Sequence, residues 1–131
     1  MFFIDKLSSK PIYEQVIEGI ERNILLGVYP AGTQVPSLRE LSVRLGVNPN
    51  TIQKSYADLT RRGILCPAPG SGCYVAPDAP QRIRQSAMGD LERLETLAAS
   101  LALAGIEEEL ILEAVQRAYR KHTTQKGGNE P

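Results

Sequence analysis

Leucines and isoleucines three and four positions apart set the rhythm of most of this chain. Leu38, Leu41 and Leu45 form one apolar stripe, and Ile52, Tyr56 and Leu59 form another at i, i+4 and i+7. Residues 36–63 therefore read as two helices joined by a tight turn. Each boundary has a chemical marker. Ser37 and Glu40 make a capping box, the Ser37 hydroxyl accepting from the residue-40 amide and the Glu40 carboxylate reaching back to the Ser37 amide. Gly46 suits a left-handed helix stop. Asn48 is a good N-cap, Pro49 fits the first helical position, and Gly63 closes the pair. Upstream, Pro11 opens a helix whose buried side is Val16, Ile17, Ile20, Ile24 and Leu25, stopped by Gly27. Gly19 in its interior is unfavourable by about 1 kcal/mol; either another backbone approaches closely there or the glycine has no particular role. An extended lead-in over residues 1–10 packs Phe2, Phe3 and Ile4 against something apolar. Val28–Val35 is a turn-rich connector with one or two strand-like residues.

Past Gly63 the period changes. Residues 64–67 and 73–76 are short strand candidates around Pro69-Gly70-Ser71-Gly72, strong turn chemistry, so a hairpin follows the helix pair as the wing of a winged helix. Its tip has no Lys or Arg, and its glycines allow close backbone approach to phosphate or minor groove, so it positions rather than reads. Pro77 to Pro80 is the expected linker. A long helix from about Gln81 to Ala104 then carries Ile83, Leu91, Leu94, Ala98 and Leu101 on one face, and a shorter one runs from about Glu107 to Lys121. Acids at the start of that second helix and bases at its end suit the helix dipole. The expected fold is mainly α with a small β-hairpin. Residues 1–76 are the winged helix-turn-helix, 77–80 the linker, 81–122 a two-helix dimerisation region and 123–131 a disordered tail. At about 36 Å the first C-terminal helix outruns its neighbour. Its Leu and Ala stripe is covered either by a second copy of the chain, through Leu91, Leu94, Ala98 and Leu101, or by folding back on the N-terminal domain.

Composition narrows the classes. The 131 residues are 42% hydrophobic and 23% charged, ordinary for a soluble globular protein, and lack the apolar run of a membrane span or the basic start of a signal peptide. A cytoplasmic location is expected. Fifteen bases balance fifteen acids, which argues against a general charge-driven polyanion binder. Between Val35 and Leu65, however, Arg39, Arg44, Lys54, Arg61 and Arg62 face only Glu40 and Asp58. Cys66 and Cys73, able to oppose each other across the hairpin, and His122 do not make a closed metal site, and free thiols are expected. No constellation supports acid–base or nucleophilic catalysis, so neither enzyme activity nor a cofactor is expected.

The exposed start of the second helix is more informative. Asn50, Thr51, Gln53 and Lys54 point away from the apolar seam, near the positive end of the helix. Asn and Gln pair bidentately with adenine, Thr contacts the thymine methyl, and Lys reaches guanine or phosphate. In a helix-turn-helix this segment enters the major groove of duplex DNA. An ordinary solvated helix would carry more Glu–Lys pairs instead.

PIYEQVIEGIERNILLGVYPAGTQVPSLRELSVRLGVNPNTIQKSYADLTRRGIL and the following GSGCYVA resemble the GntR family of winged-helix transcription regulators, in particular its YtrA-type branch with a short two-helix C-terminal region. The resemblance covers about Lys10 to Ala76. It implies DNA contacts from Arg39, from Asn50, Thr51 and Gln53, and from the wing at Gly70. Many members carry arginine where this chain has Pro49 and Gln53, and a basic residue where it has Ser71, which shifts the expected readout toward A·T contacts. The larger members' ligand pocket has no counterpart in so short a tail, and no effector is inferred. The expectation is a homodimeric regulator, a repressor, on a near-palindromic operator, with Arg39 and Lys54 on phosphates. The rival is an interaction adaptor whose winged helix does not touch DNA.

Overall fold

The arm that leads into the first helix is held in place by a missing side chain. The computed structural model describes residues 2–128. In it Phe2 is 6% exposed, and its ring occupies the space a Cβ at Gly19 would need. The mid-helix glycine thus accommodates an aromatic ring rather than another backbone. Ile4 also packs on the core, whereas Phe3, expected to do the same, is 88% exposed. The Gln15 side chain fastens the arm, accepting from the Asp5 amide at 2.8 Å and donating to the Asp5 and Lys10 carbonyls, each at 2.9 Å.

Three helices follow: α1 (Ile12–Leu25), α2 (Leu38–Leu45) and α3 (Pro49–Arg61). Pro11 is the N-cap of α1 rather than its first residue. Val16, Ile20 and Ile24 are buried, but Leu25 turns outward. In α2 the Ser37 hydroxyl accepts from the Glu40 amide at 3.1 Å, and Gly46 ends the helix at φ 65°. The Glu40 carboxylate lies 3.8 Å from Arg44, so only one half of the expected capping box is seen. Asn48 caps α3 by accepting from the Asn50 amide at 2.8 Å, and Ile52 and Leu59 are fully buried. The Tyr56 hydroxyl donates to the Pro36 carbonyl at 2.6 Å, fixing α3 to the entry of α2. Burial, helped by Tyr29 and Cys73, pushes the Tyr56 phenol above its ordinary range, so it remains a donor.

The hairpin is β1 (Leu65–Ala68) and β2 (Gly72–Val75), antiparallel, with Leu65 opposite Val75 and Cys66 opposite Tyr74. The Ala76 amide donates to the Ile64 carbonyl, so hydrogen-bonded pairs alternate from that point. Leu65 and Pro67 therefore turn their backbone nitrogens to the open margin of the sheet. On the other margin the connector pairs with β2: Val35 donates to the Cys73 carbonyl and Val75 to the Thr33 carbonyl, both at 2.9 Å, around a bridge between Gln34 and Tyr74. The cysteines are free and offset by one register position, so they occupy opposite faces rather than opposing each other.

The expected linker is not one. Ala79 and Pro80 already belong to α4 (Ala79–Leu103), and Ala79 and Ile83 are buried in the N-terminal core. Proline is tolerated in a first turn, where no amide needs a helical partner. The first compact unit accordingly runs through Ala87, not Ala76.

From Met88 a second unit contains the rest of α4, a left-handed turn at Gly105, and α5 (Glu108–Gly128). Here α5 continues beyond the expected stop at Lys121, and the last three residues of the expected disordered tail lie outside the described residues. Ala98, Ile111 and Val115 are half-buried, while Leu91, Leu94 and Leu101 are exposed. No described helix is long and apolar enough to cross a membrane.

Candidate nucleic-acid interface

The start of α3 is exposed because its apolar residues begin only at Ile52. The Asn48 cap engages the Asn50 amide, and the amides of Thr51 and Ile52 bond back to the Asn48 carbonyl. The helix end is thereby satisfied internally, leaving side chains rather than backbone to meet a ligand. Asn50 and Gln53 are exposed and Thr51 is half-buried. All three sit within one turn, near the positive end of the helix dipole.

Lys54 is exposed but engaged: its Nζ lies 3.8 Å from the centre of the Tyr13 ring on α1. The neighbouring Ser55 hydroxyl donates to the Tyr13 carbonyl at 2.9 Å, so α1 and α3 meet here in two contacts. Such a cation–π contact is worth about 0.5–1 kcal/mol at an exposed site. It restricts a lysine that would otherwise sweep a wide arc. Tyr13 escaped sequence reasoning because it lies far from Lys54 in the chain.

The basic surplus of the motif is smaller in the fold than in the sequence. Arg61 pairs with Asp58, and Arg62 binds Glu21 at 2.8 Å and Asp58 at 3.3 Å. Burial alone would lower the Arg62 guanidinium, but its bonds to Glu21 and Asp58 raise it above its ordinary value. That trio ties α3 to α1 and leaves Arg61 and Arg62 with structural partners. Arg39 is exposed at the start of α2, and among the described residues no hydrogen bond or ion pair engages it. Lys6, which sequence reasoning did not single out, donates to the Gly46 carbonyl at 3.1 Å and places a charge beside the turn between α2 and α3.

Gly70 is exposed at the wing tip, with φ 79° and open space where a Cβ would stand. Two hydrogen bonds reach the tip: the Ser71 carbonyl accepts from Gln34 Nε2 at 2.9 Å and from the Tyr74 hydroxyl at 3.2 Å. The proposed dimer residues lie in the other unit, Leu91, Leu94 and Leu101 exposed and Ala98 half-buried. Among the described residues no group of three His, Cys, Asp or Glu side chains is placed to hold a metal ion.

Known proteins share this fold. Residues 12–75 match the family described as bacterial regulatory proteins, gntR family. The chain is 36% identical over 117 residues to the HTH-type transcriptional repressor YtrA of Bacillus subtilis (strain 168), covering 88% of this chain and 90% of that protein. A GntR family transcriptional regulator from Listeria monocytogenes superposes with TM-score 0.65 at 36% identity, over 87% of this chain and 98% of that one. The DNA-binding domain of AraR, solved in complex with operator ORX1, superposes with TM-score 0.52 at 35% identity, over 57% of this chain and 93% of that one. The match runs from the start of α1 to the end of β2 and a relative is similar over nearly its whole length: this chain belongs to the GntR family, a DNA-binding transcription regulator with a winged helix and not an enzyme.

Proposed function

We propose that the chain acts as a homodimeric repressor on a near-palindromic operator. The observation that carries the reading is the exposed first turn of α3, where Asn50, Thr51 and Gln53 stand clear of a helix end that Asn48 has already satisfied. Asn50 and Gln53 pair with base edges, Thr51 contacts a thymine methyl or phosphate, and Arg39 and Lys54 hold backbone phosphates. Gly70 lets the wing backbone approach the flanking duplex. The repressor role is supported by the resemblance to YtrA, and operator binding by the likeness to the AraR domain. Pairing through Leu91, Leu94, Ala98 and Leu101 is supported by the exposure of these leucines in a single chain. Two copies would then place two recognition helices about 34 Å apart along the duplex.

Selection from a random duplex pool, followed by salt-titrated binding to the enriched sequence, tests this. The expected result is a two-half-site consensus bound with a clear salt dependence. Gln53→Ala should relax specificity at one base pair by about 1–3 kcal/mol, whereas Lys54→Ala should weaken all sequences alike. An enriched site without twofold symmetry, or equal losses in both variants on every sequence, sinks the assignment of roles.

A further inference from the structure

The wing tip is shaped from outside the hairpin. Gln34 lies in the connector before α2, yet its side-chain amide donates to the Ser71 carbonyl at 2.9 Å, and the Tyr74 hydroxyl donates to the same oxygen at 3.2 Å. Gln34 and Tyr74 are themselves paired through the backbone bridge. Gly72, at φ 105°, leaves room for this arrangement, since a Cβ there would collide with Gln34 Nε2. The Ser71 amide is also used, donating to the Ala68 carbonyl at 2.8 Å. With its carbonyl held twice and its amide held once, Ser71 has both of its flanking peptide groups engaged. Its hydroxyl and the neighbouring Gly70 remain exposed at the tip.

The geometry points to Gln34 as a positioning residue for DNA binding, one that holds the Gly70–Ser71 tip in the conformation that meets the phosphate backbone. The inference rests on the proposed operator reading, because a wing needs a duplex to meet. Gln34 acts through the Ser71 carbonyl and touches no base, so it influences how strongly the flank is held and not which bases α3 reads. The tip carries no charge of its own, so this part of the binding involves hydrogen bonds from a hydroxyl and an amide rather than counterion release. Preorganisation is what the brace contributes: a loose turn would lose conformational freedom on every binding event.

The test uses the full chain and the operator recovered by selection. Gln34→Met keeps the length of the side chain and removes the donor without adding a charge. Tyr74→Phe removes the second donor with little other change. Each should weaken operator binding by about fivefold, the loss of one neutral hydrogen bond. The salt slope and the base preferences of α3 should be unchanged, and hydroxyl-radical protection should fade at the outer flanks only. Because the two donors share one oxygen, the double variant should lose at least as much as the two single losses combined. Thermal melting of each variant separates a misfolded chain, which loses central and flanking protection together, from a loosened wing. Wild-type affinity and flank protection in the double variant overturn the inference while leaving the operator reading intact. A wild-type chain that binds no selected duplex overturns both.

Discussion

Gly19 shows how one absent methyl group organises the start of the chain. The Phe2 ring lies in the space a Cβ would occupy, so Gly19→Ala must displace the ring or bend α1. The expected cost is about 1–3 kcal/mol of stability, an overpacking effect, read from urea unfolding. A smaller residue at position 2 should recover part of it, because contacting sites do not add independently. The two thiols are expected to differ as well. Burial pushes the Cys73 thiol up, so at a given pH it holds less reactive thiolate. Iodoacetamide at mildly alkaline pH should therefore modify the exposed Cys66 first, with Cys73 gaining reactivity only as the pH is raised further, as peptide mass spectrometry would show. Residue-scale features were legible in the sequence where both partners lie within a few positions: the Ser37, Gly46 and Asn48 caps form, short only of the Glu40 half of the capping box. The Ser55–Tyr13 bond spans 42 residues and the Gln34–Ser71 bond 37, and no local pattern encodes such pairs.

Among the elements, α4 departs most from its sequence reading. Two prolines around Asp78 suggest a break, but Pro80 falls in the first turn, and Asp78 steadies that turn by accepting from Arg82 Nε at 2.8 Å. The periodicity did place Ile83 on an apolar face; what it could not supply was the partner of that face, which is the N-terminal core. Ile83→Ala should consequently cost the first unit about 2–5 kcal/mol, as other buried large-to-small changes do. Leu103→Ala, in the same helix but 91% exposed, should stay within about 0.5 kcal/mol. Denaturation followed by Tyr fluorescence distinguishes them. Equal effects would mean that the beginning of α4 is not part of the first unit's core.

For the whole molecule, the exposed leucines of the second unit set the clearest expectation. Leu91, Leu94 and Leu101 recur on one helix and remain 36–49% exposed in the single chain. If the chain pairs as proposed, replacing Leu94 and Leu101 together by Glu should convert the dimer to a monomer in sedimentation and abolish tight binding to a two-half-site operator while leaving the first unit folded. A variant that still sediments as a dimer places the self-association elsewhere. The wing has a different relation to its surroundings. Its open margin presents the nitrogens of Leu65 and Pro67, one belonging to a buried residue and the other lacking a hydrogen. A margin so poor in donors is a weak template for a further strand. Pro67 thus lets the free margin of the hairpin stand open without inviting the edge-to-edge stacking by which crowded β-sheets grow into fibrils.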